Sequence, residues 1–323
     1  MKYDWIAGTG GIGKGEIFRL VGNSTLGREE SRSAILTGYR DYCKLHIVLS
    51  YPARILGKKL PVFACGNVGQ DERGKELICE MQNMGFCVDY IKETDAPTKY
   101  SVCFLYENGD GGNITSCNDA CFFVTDKELT EDLEKIISAH GQNGIVLGAP
   151  EVPLSVRLGF MREAKKRGCY TVCSVLAEEA EEFIKRKGGE ACDLIAVNSD
   201  EAAALGKGGD YRAVLRKQNP AISIIETSGK NGCTVDSVTG RIHFDALEAD
   251  VKSTAGAGDA LLGGVITGLA LGLPLAVRRD VCAMNIGIIF ASFAVESPDT
   301  IPAKFEPDAI YARADKSGLK IMI

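Results

Sequence analysis

Between residues 127 and 205 the chain alternates helical and extended stretches without a break. The pattern predicts helices over 127–140, 153–167, 177–188 and 199–205, with strands at 144–148, 169–175 and 192–197 between them. Repetition of this kind forces a mostly parallel sheet, because parallel neighbours need a crossover and a helix is the usual one. Helices then cover both faces of the sheet. Upstream, strands are expected at 4–7, 61–66 and 86–91 and a helix at 74–84. Downstream, strands at 221–227, 232–237 and 241–245 form a meander, and apolar helices at 257–272 and 275–296 close the domain.

Two stretches stand outside this rhythm. Residues 16–45 are polar and irregular, with no readable period. Residues 98–107 and 113–117 flank Asn108-Gly109-Asp110-Gly111-Gly112, a strong hairpin signal. The flanks alternate apolar and polar side chains, so this hairpin is expected to cover something rather than lie inside a sheet. The expected organisation is a core domain of residues 1–13, 46–94 and 124–323 with a discontinuous lid of 14–45 and 95–123.

The formal charge of −6 and a pI near 5.3 argue against a nucleic-acid binder, which usually carries a basic surplus. Twelve cysteines are scattered singly with no CxxC pair, so they read as reduced core thiols rather than a disulfide or zinc framework. The apolar run from Ala260 to Val277 is interrupted by glycines and Pro274, which suits a buried helix better than a membrane span. With no apolar signal region after Met1, a soluble cytoplasmic protein is expected.

Two glycine-rich motifs compete for the chemistry. Gly8-Thr9-Gly10-Gly11-Ile12-Gly13 fits the dinucleotide fingerprint, and with Lys14 it fits most of a P-loop. Gly15 stands where the P-loop needs a hydroxyl for magnesium. Both motifs also need a long helix directly afterwards, which Gly22-Asn23-Ser24 would stop. An NAD-linked oxidoreductase is the reading that this turn keeps open. The second motif, Thr254-Ala255-Gly256-Ala257-Gly258-Asp259, leads straight into an apolar helix. Small residues let backbone amides approach an anion, and the helix dipole adds favourable potential. Asp259 in the first turn is then either a catalytic carboxylate or an acid that only complements the dipole.

The stretch 253–266 resembles the C-terminal signature of the PfkB family of carbohydrate kinases, which includes ribokinase and adenosine kinase. Asn198-Ser199-Asp200-Glu201 is similar to the family's Asn-x-x-Glu motif, Thr227–Gly232 to its nucleotide-binding turn, and Gly66–Gly74 to its V-G-x-D-x-x-G turn. The resemblance implies a ribokinase-like three-layer α/β fold with a mostly parallel central sheet and a small β lid. It implies ATP and Mg²⁺ as cofactors, Asp259 as general base, and the amides of Gly256, Ala257 and Gly258 as an anion hole. Asn198, Glu201, Thr227, Gly229, Gly232 and Asn285 would serve the nucleotide, with Glu201 reaching the metal through water. The same residues have plainer readings: a capping box for Asn198 and Glu201, a hairpin turn for 227–232, and a buried backbone partner for Asn285.

The substrate side departs from the family pattern. Gly13 stands where an aspartate is usual, Glu16 is the nearest acid, and no Gly-Gly-x-x-x-Asn segment is recognisable before Arg54. Gly11, Glu16 and Asn23 are the substrate-side candidates. Lys14, Arg28, Arg32 and Arg40 are either contacts for an anionic substrate or ordinary surface charge. Ser253 replaces the signature's leading aspartate, which weighs against a monovalent cation. The expected partner is a small molecule, a sugar or polyol with a nucleoside as alternative, and the lid is a candidate homodimer surface. A sugar sensor that has lost catalysis is a third reading, opposed by the intact Asp259.

Overall fold

The computed structural model describes residues 1–108, 111–303 and 305–323. In the first half lie β1 (Trp5–Thr9), β2 (Gly13–Leu20), β3 (Ala34–Tyr42), α1 (Lys44–Leu56), β4 (Val62–Gly69) and α2 (Glu72–Asn83). They are followed by β5 (Ile91–Thr94), β6 (Lys99–Leu105), β7 (Gly111–Thr115), α3 (Asp126–His140) and β8 (Gly144–Gly148). The second half holds α4 (Leu154–Lys166), β9 (Tyr170–Ser174), α5 (Ala180–Lys185), β10 (Leu194–Asn198), α6 (Ser199–Gly206) and α7 (Tyr211–Gln218). It ends with β11 (Ser223–Thr227), β12 (Cys233–Ser237), β13 (Gly240–Phe244), α8 (Ala257–Ala270), α9 (Ala283–Val295) and α10 (Pro307–Ser317).

Nine strands form the large sheet, in the order β13-β12-β11-β10-β9-β8-β1-β4-β5. Seven of them, β11 to β5 in that order, pair in parallel, and β12 is antiparallel to both β11 and β13, so it alone runs the other way. Strands β1, β4 and β8 are buried at every residue, as the middle of a covered sheet requires. The two-residue period of a strand divides β1 between two cores. Ile6 packs with Leu45, Leu49 and Val265 on one face, whereas Trp5 and Ala7 pack with Leu133 and Phe160 on the other. Eight of the twelve cysteines are buried, most of them within these cores. Among the described residues no helix is long and apolar enough to cross a membrane.

The four-stranded sheet has the order β3-β2-β6-β7. Here the sequence reading needs correction, because nearly half of the stretch read as irregular pairs as β2 and β3. Strand β3 is exposed or half-exposed along its whole length, so no apolar alternation betrays it. Backbone pairing to β2 carries it. Helix α1 also escaped notice. It is buried nearly all round, which erases the stripe of an amphipathic helix, and Pro52 sits inside it. Proline cannot donate to the carbonyl four residues back, and the freed Val48 carbonyl lies against Gly263 of α8. Other elements differ from expectation, helices α7 and α10 among them, which the sequence reading did not include. Residues 86–91 contribute only a bridge at Cys87 before β5, the helix expected over 177–188 shortens to α5 behind a 3₁₀ turn, and the one expected at 275–296 starts at Ala283. Of the expected hairpin turn, Gly109 and Asp110 lie outside the described residues.

Candidate active site

The carboxyl ends of β1, β8, β10 and β11 open on one edge of the large sheet, the place where open α/β sheets bind ligands. The N-terminus of α8 faces the same edge. Gly256 caps it with a φ of 76°, and a Cβ there would lie 2.8 Å from the Thr300 carbonyl oxygen, so glycine is required on two counts. The first amides of a helix have no partner within it. Beside them the space is open, since a Cβ on Gly258 would meet only Thr227 Oγ1, 3.9 Å away. Asp259 stands in this first turn, half-buried. Burial raises its pKa, the Lys44 ammonium opposes that rise, and the Glu201 and Asp41 carboxylates add to it.

Asn198 and Glu201 form a complete capping box at the start of α6. Asn198 Oδ1 accepts from the Glu201 amide at 2.9 Å, and Glu201 Oε2 accepts from the Asn198 amide at 2.8 Å. The box leaves Glu201 Oε1 free to turn toward Lys44 Nζ, 3.3 Å away, and Glu201 is only 6% exposed. Burial acts to lower the Lys44 pKa, but Asp259, Glu201 and Glu151 together raise it. Thr227 ends β11 beside β10, with its hydroxyl donating to the Val197 carbonyl at 3.4 Å. Gly229 and Gly232 have φ of 54° and 80° in the turn that follows. Asn285 Nδ2 donates to the Asp280 and Lys320 carbonyls at 2.9 and 2.8 Å. That is the plain buried-partner reading.

A polar pocket lies between the small sheet and this edge, lined by residues that include Asp41, Lys99, Ser101, Asn113 and Glu151. Lys99 is anchored to Asp119 at 2.9 Å. Glu151, just past β8, has a left-handed backbone with φ 75°, and its Oε2 accepts from the Lys44 amide at 3.1 Å. Burial pushes its pKa up to about 7, against the lowering effects of Cys43, Lys44 and Lys99. Gly11 makes room for it, since a Cβ there would sit 2.5 Å from Glu151 Oε2. Glu16 is exposed on β2 and accepts from the Tyr100 hydroxyl at 2.7 Å. Asn23 lies beyond the end of β2, its Oδ1 accepting from the Asn108 amide at 3.3 Å. Lys14, Arg32 and Arg40 are paired with Glu76, Glu30 and Glu80.

The Gly8–Gly13 turn is followed by β2 and not by a helix, so it offers no helix N-terminus to a pyrophosphate. The sequence reading missed Lys44, Asp41, Lys99 and Glu151. Glu151 had a signal, an acid just beyond the carboxyl end of a parallel strand. Asp41 and Lys44 had none, because they lie where no period or motif was legible, and the alternation around Lys99 marked a strand without marking a site.

Residues 53–304 match the family model of the pfkB family carbohydrate kinases. The chain belongs to that family. Two curated relatives from Arabidopsis thaliana align over parts of this PfkB-family chain. A pseudouridine kinase is 39% identical over 74 residues, which are 23% of this chain and 18% of the relative. A probable chloroplastic fructokinase-6 is 30% identical over 132 residues, 38% of this chain and 33% of the relative. The chain thus spans a third or less of either. Among solved structures, the ribokinase from Giardia lamblia superposes with a TM-score of 0.79, covering 98% of this chain and 99% of that one at 16% identity. At that identity the likeness carries the ribokinase-like fold and nothing finer.

Proposed function

We propose that this PfkB-family chain is a Mg-ATP-dependent kinase that transfers the γ-phosphoryl group to a hydroxyl of a sugar or related polyol. One observation carries the reading: Asp259 stands in the first turn of α8, at the open N-terminus of that helix and within electrostatic reach of Asp41, which lines the pocket under the small sheet. The acceptor hydroxyl gives its proton to the Asp259 carboxylate, and its oxygen bonds to the γ-phosphorus. The bond from that phosphorus to the bridging β-phosphate oxygen breaks, and ADP leaves with the electron pair. Phosphoryl transfer needs positioning and charge stabilisation above all. The amides of Gly256, Ala257 and Gly258 would receive the developing charge, the Ala257 amide giving up a long 3.4 Å bond to the Thr254 carbonyl. A carboxylate with a raised pKa is also a better-matched base near neutral pH.

The nucleotide is assigned to the space between Thr227, the Gly229–Gly232 turn and α8. Magnesium fits the donors present. Mg²⁺ takes one or two carboxylates and fills its shell with water and phosphate oxygens, and Glu201 Oε1 is a buried carboxylate oxygen outside the capping box. Bound there through water, the ion would neutralise phosphate charge. The small sheet acts as the lid over the acceptor, with Gly11 and Glu151 at its floor and Glu16 on its strand β2.

Asp259→Asn is expected to bind Mg-ATP as the wild type does and to lose about 10²–10⁴-fold in turnover, the usual worth of a general base. Unchanged turnover would sink the assignment. A nucleoside acceptor is the second reading, favoured by the local identity to a pseudouridine kinase. ADP release measured across sugars, polyols and nucleosides separates the two.

A further inference from the structure

Helix α1 begins with a lysine where helix physics disfavours one. A helix N-terminus carries partial positive charge and attracts acids. Cys43 at the N-cap provides no side-chain hydrogen bond, and the first turn contains no acid. Yet the Lys44 side chain is only 23% exposed. What offsets the misfit is a convergence from three other parts of the chain. Glu201 Oε1, at the start of α6, lies 3.3 Å from Lys44 Nζ. Glu151 caps the Lys44 amide at 3.1 Å, from a left-handed backbone that a residue with a Cβ adopts only when its surroundings hold it there. Asp259, in the first turn of α8, is the strongest of the charges that act on the ammonium. A local preference broken in this way, with acids gathered from distant elements around it, is typical of a functional site.

Building on the kinase reading, we propose that Lys44 is a catalytic residue whose ammonium contacts the transferred phosphoryl group. In this structure the ammonium pairs with Glu201 and is within electrostatic reach of Asp259. The γ-phosphate, entering between the N-termini of α6 and α8, brings oxygens that take up its remaining hydrogen bonds. During transfer the acceptor proton goes to Asp259, the new oxygen–phosphorus bond forms, and the bond to the β-phosphate oxygen breaks with its electron pair leaving on ADP. Lys44 exchanges no proton. It is a fixed cation that balances charge spreading over the transferring oxygens. It also lowers the Asp259 pKa against the burial that raises it.

Binding of Mg-ATP and Mg-ADP to the full chain, measured by titration calorimetry, tests this without knowledge of the acceptor. Only ATP carries the γ-phosphate. Lys44→Met is expected to weaken Mg-ATP binding about tenfold or more, the worth of one charged hydrogen bond, and to leave Mg-ADP within about twofold. Lys44→Arg keeps the cation and should keep most of the discrimination. Lys44→Gln retains a donor for Glu201 and gives the same comparison if the methionine variant fails to fold. Equal weakening of both nucleotides would mean a structural role and would overturn the proposal, as would no weakening of either. A wild-type chain that binds neither nucleotide would instead remove the kinase reading, and the role of Lys44 with it.

Discussion

His46, two residues beyond Lys44, is fully buried, and neither ring nitrogen has a hydrogen-bond partner among the described residues. It packs edge-on against Tyr42 and Phe86 at centroid distances of 4.6 and 5.8 Å. Burial lowers its pKa to about 3. In the unfolded chain the imidazole titrates near 6.5, so between these values the unfolded state binds more protons and stability falls as pH falls. At pH 5 the loss is about 2 kcal/mol from this group. His46→Leu should therefore show a smaller drop in melting temperature between pH 8 and pH 5 than the wild type. Parallel curves for the two proteins would refute this. Nothing in the sequence marks His46 as special, because a burial that leaves both nitrogens unpaired is decided by the neighbours. Asp259 was legible for the opposite reason, since the residues that frame it are its neighbours in the chain.

Helices α8 and α9 pack through glycine. A Cβ on Gly264 would lie 2.6 Å from the Gly287 Cα, and one on Gly268 would lie 2.6 Å from the Ala283 Cα. The obstacle in each case is backbone, which cannot swing aside. Alanine is favoured over glycine by about 1 kcal/mol in a helix interior. Overpacking typically costs about 1–3 kcal/mol, and more where the helices themselves must part. The second effect is expected to prevail, so Gly264→Ala should lower the melting temperature by several degrees. An unchanged or higher value would show that the pair can separate cheaply. The sequence predicted both helices from their apolar runs, but placed the start of the second eight residues early, at 275 instead of 283. Apolar content shows burial. It does not show where a backbone turns.

At the scale of the molecule, the candidate site draws on the large sheet, the small sheet and three helix N-termini. A ligand that bridges them stabilises the folded state by mass action, about 2.7 kcal/mol at one hundred times its dissociation constant. Mg-ATP should raise the melting temperature in proportion to the logarithm of its concentration, and NAD should leave it unmoved. A shift with NAD alone would revive the Gly8–Gly13 turn as a nucleotide site. That turn was ambiguous in the sequence because its chemistry depends on the element after it, and that element is strand β2 of the small sheet.

By itself the sequence determined the α/β class, most of the parallel strands, and the turn that holds Asp259, because each rests on local periodicity or on adjacent residues. The tertiary structure alone decided that the lysine at 44 stands among the acids at 151, 201 and 259. It also decided that β2 pairs with β6, more than eighty residues away. These meetings follow from how α1 packs on α8 and how the small sheet closes over the strand ends. Packing between distant elements leaves no period in the chain to read.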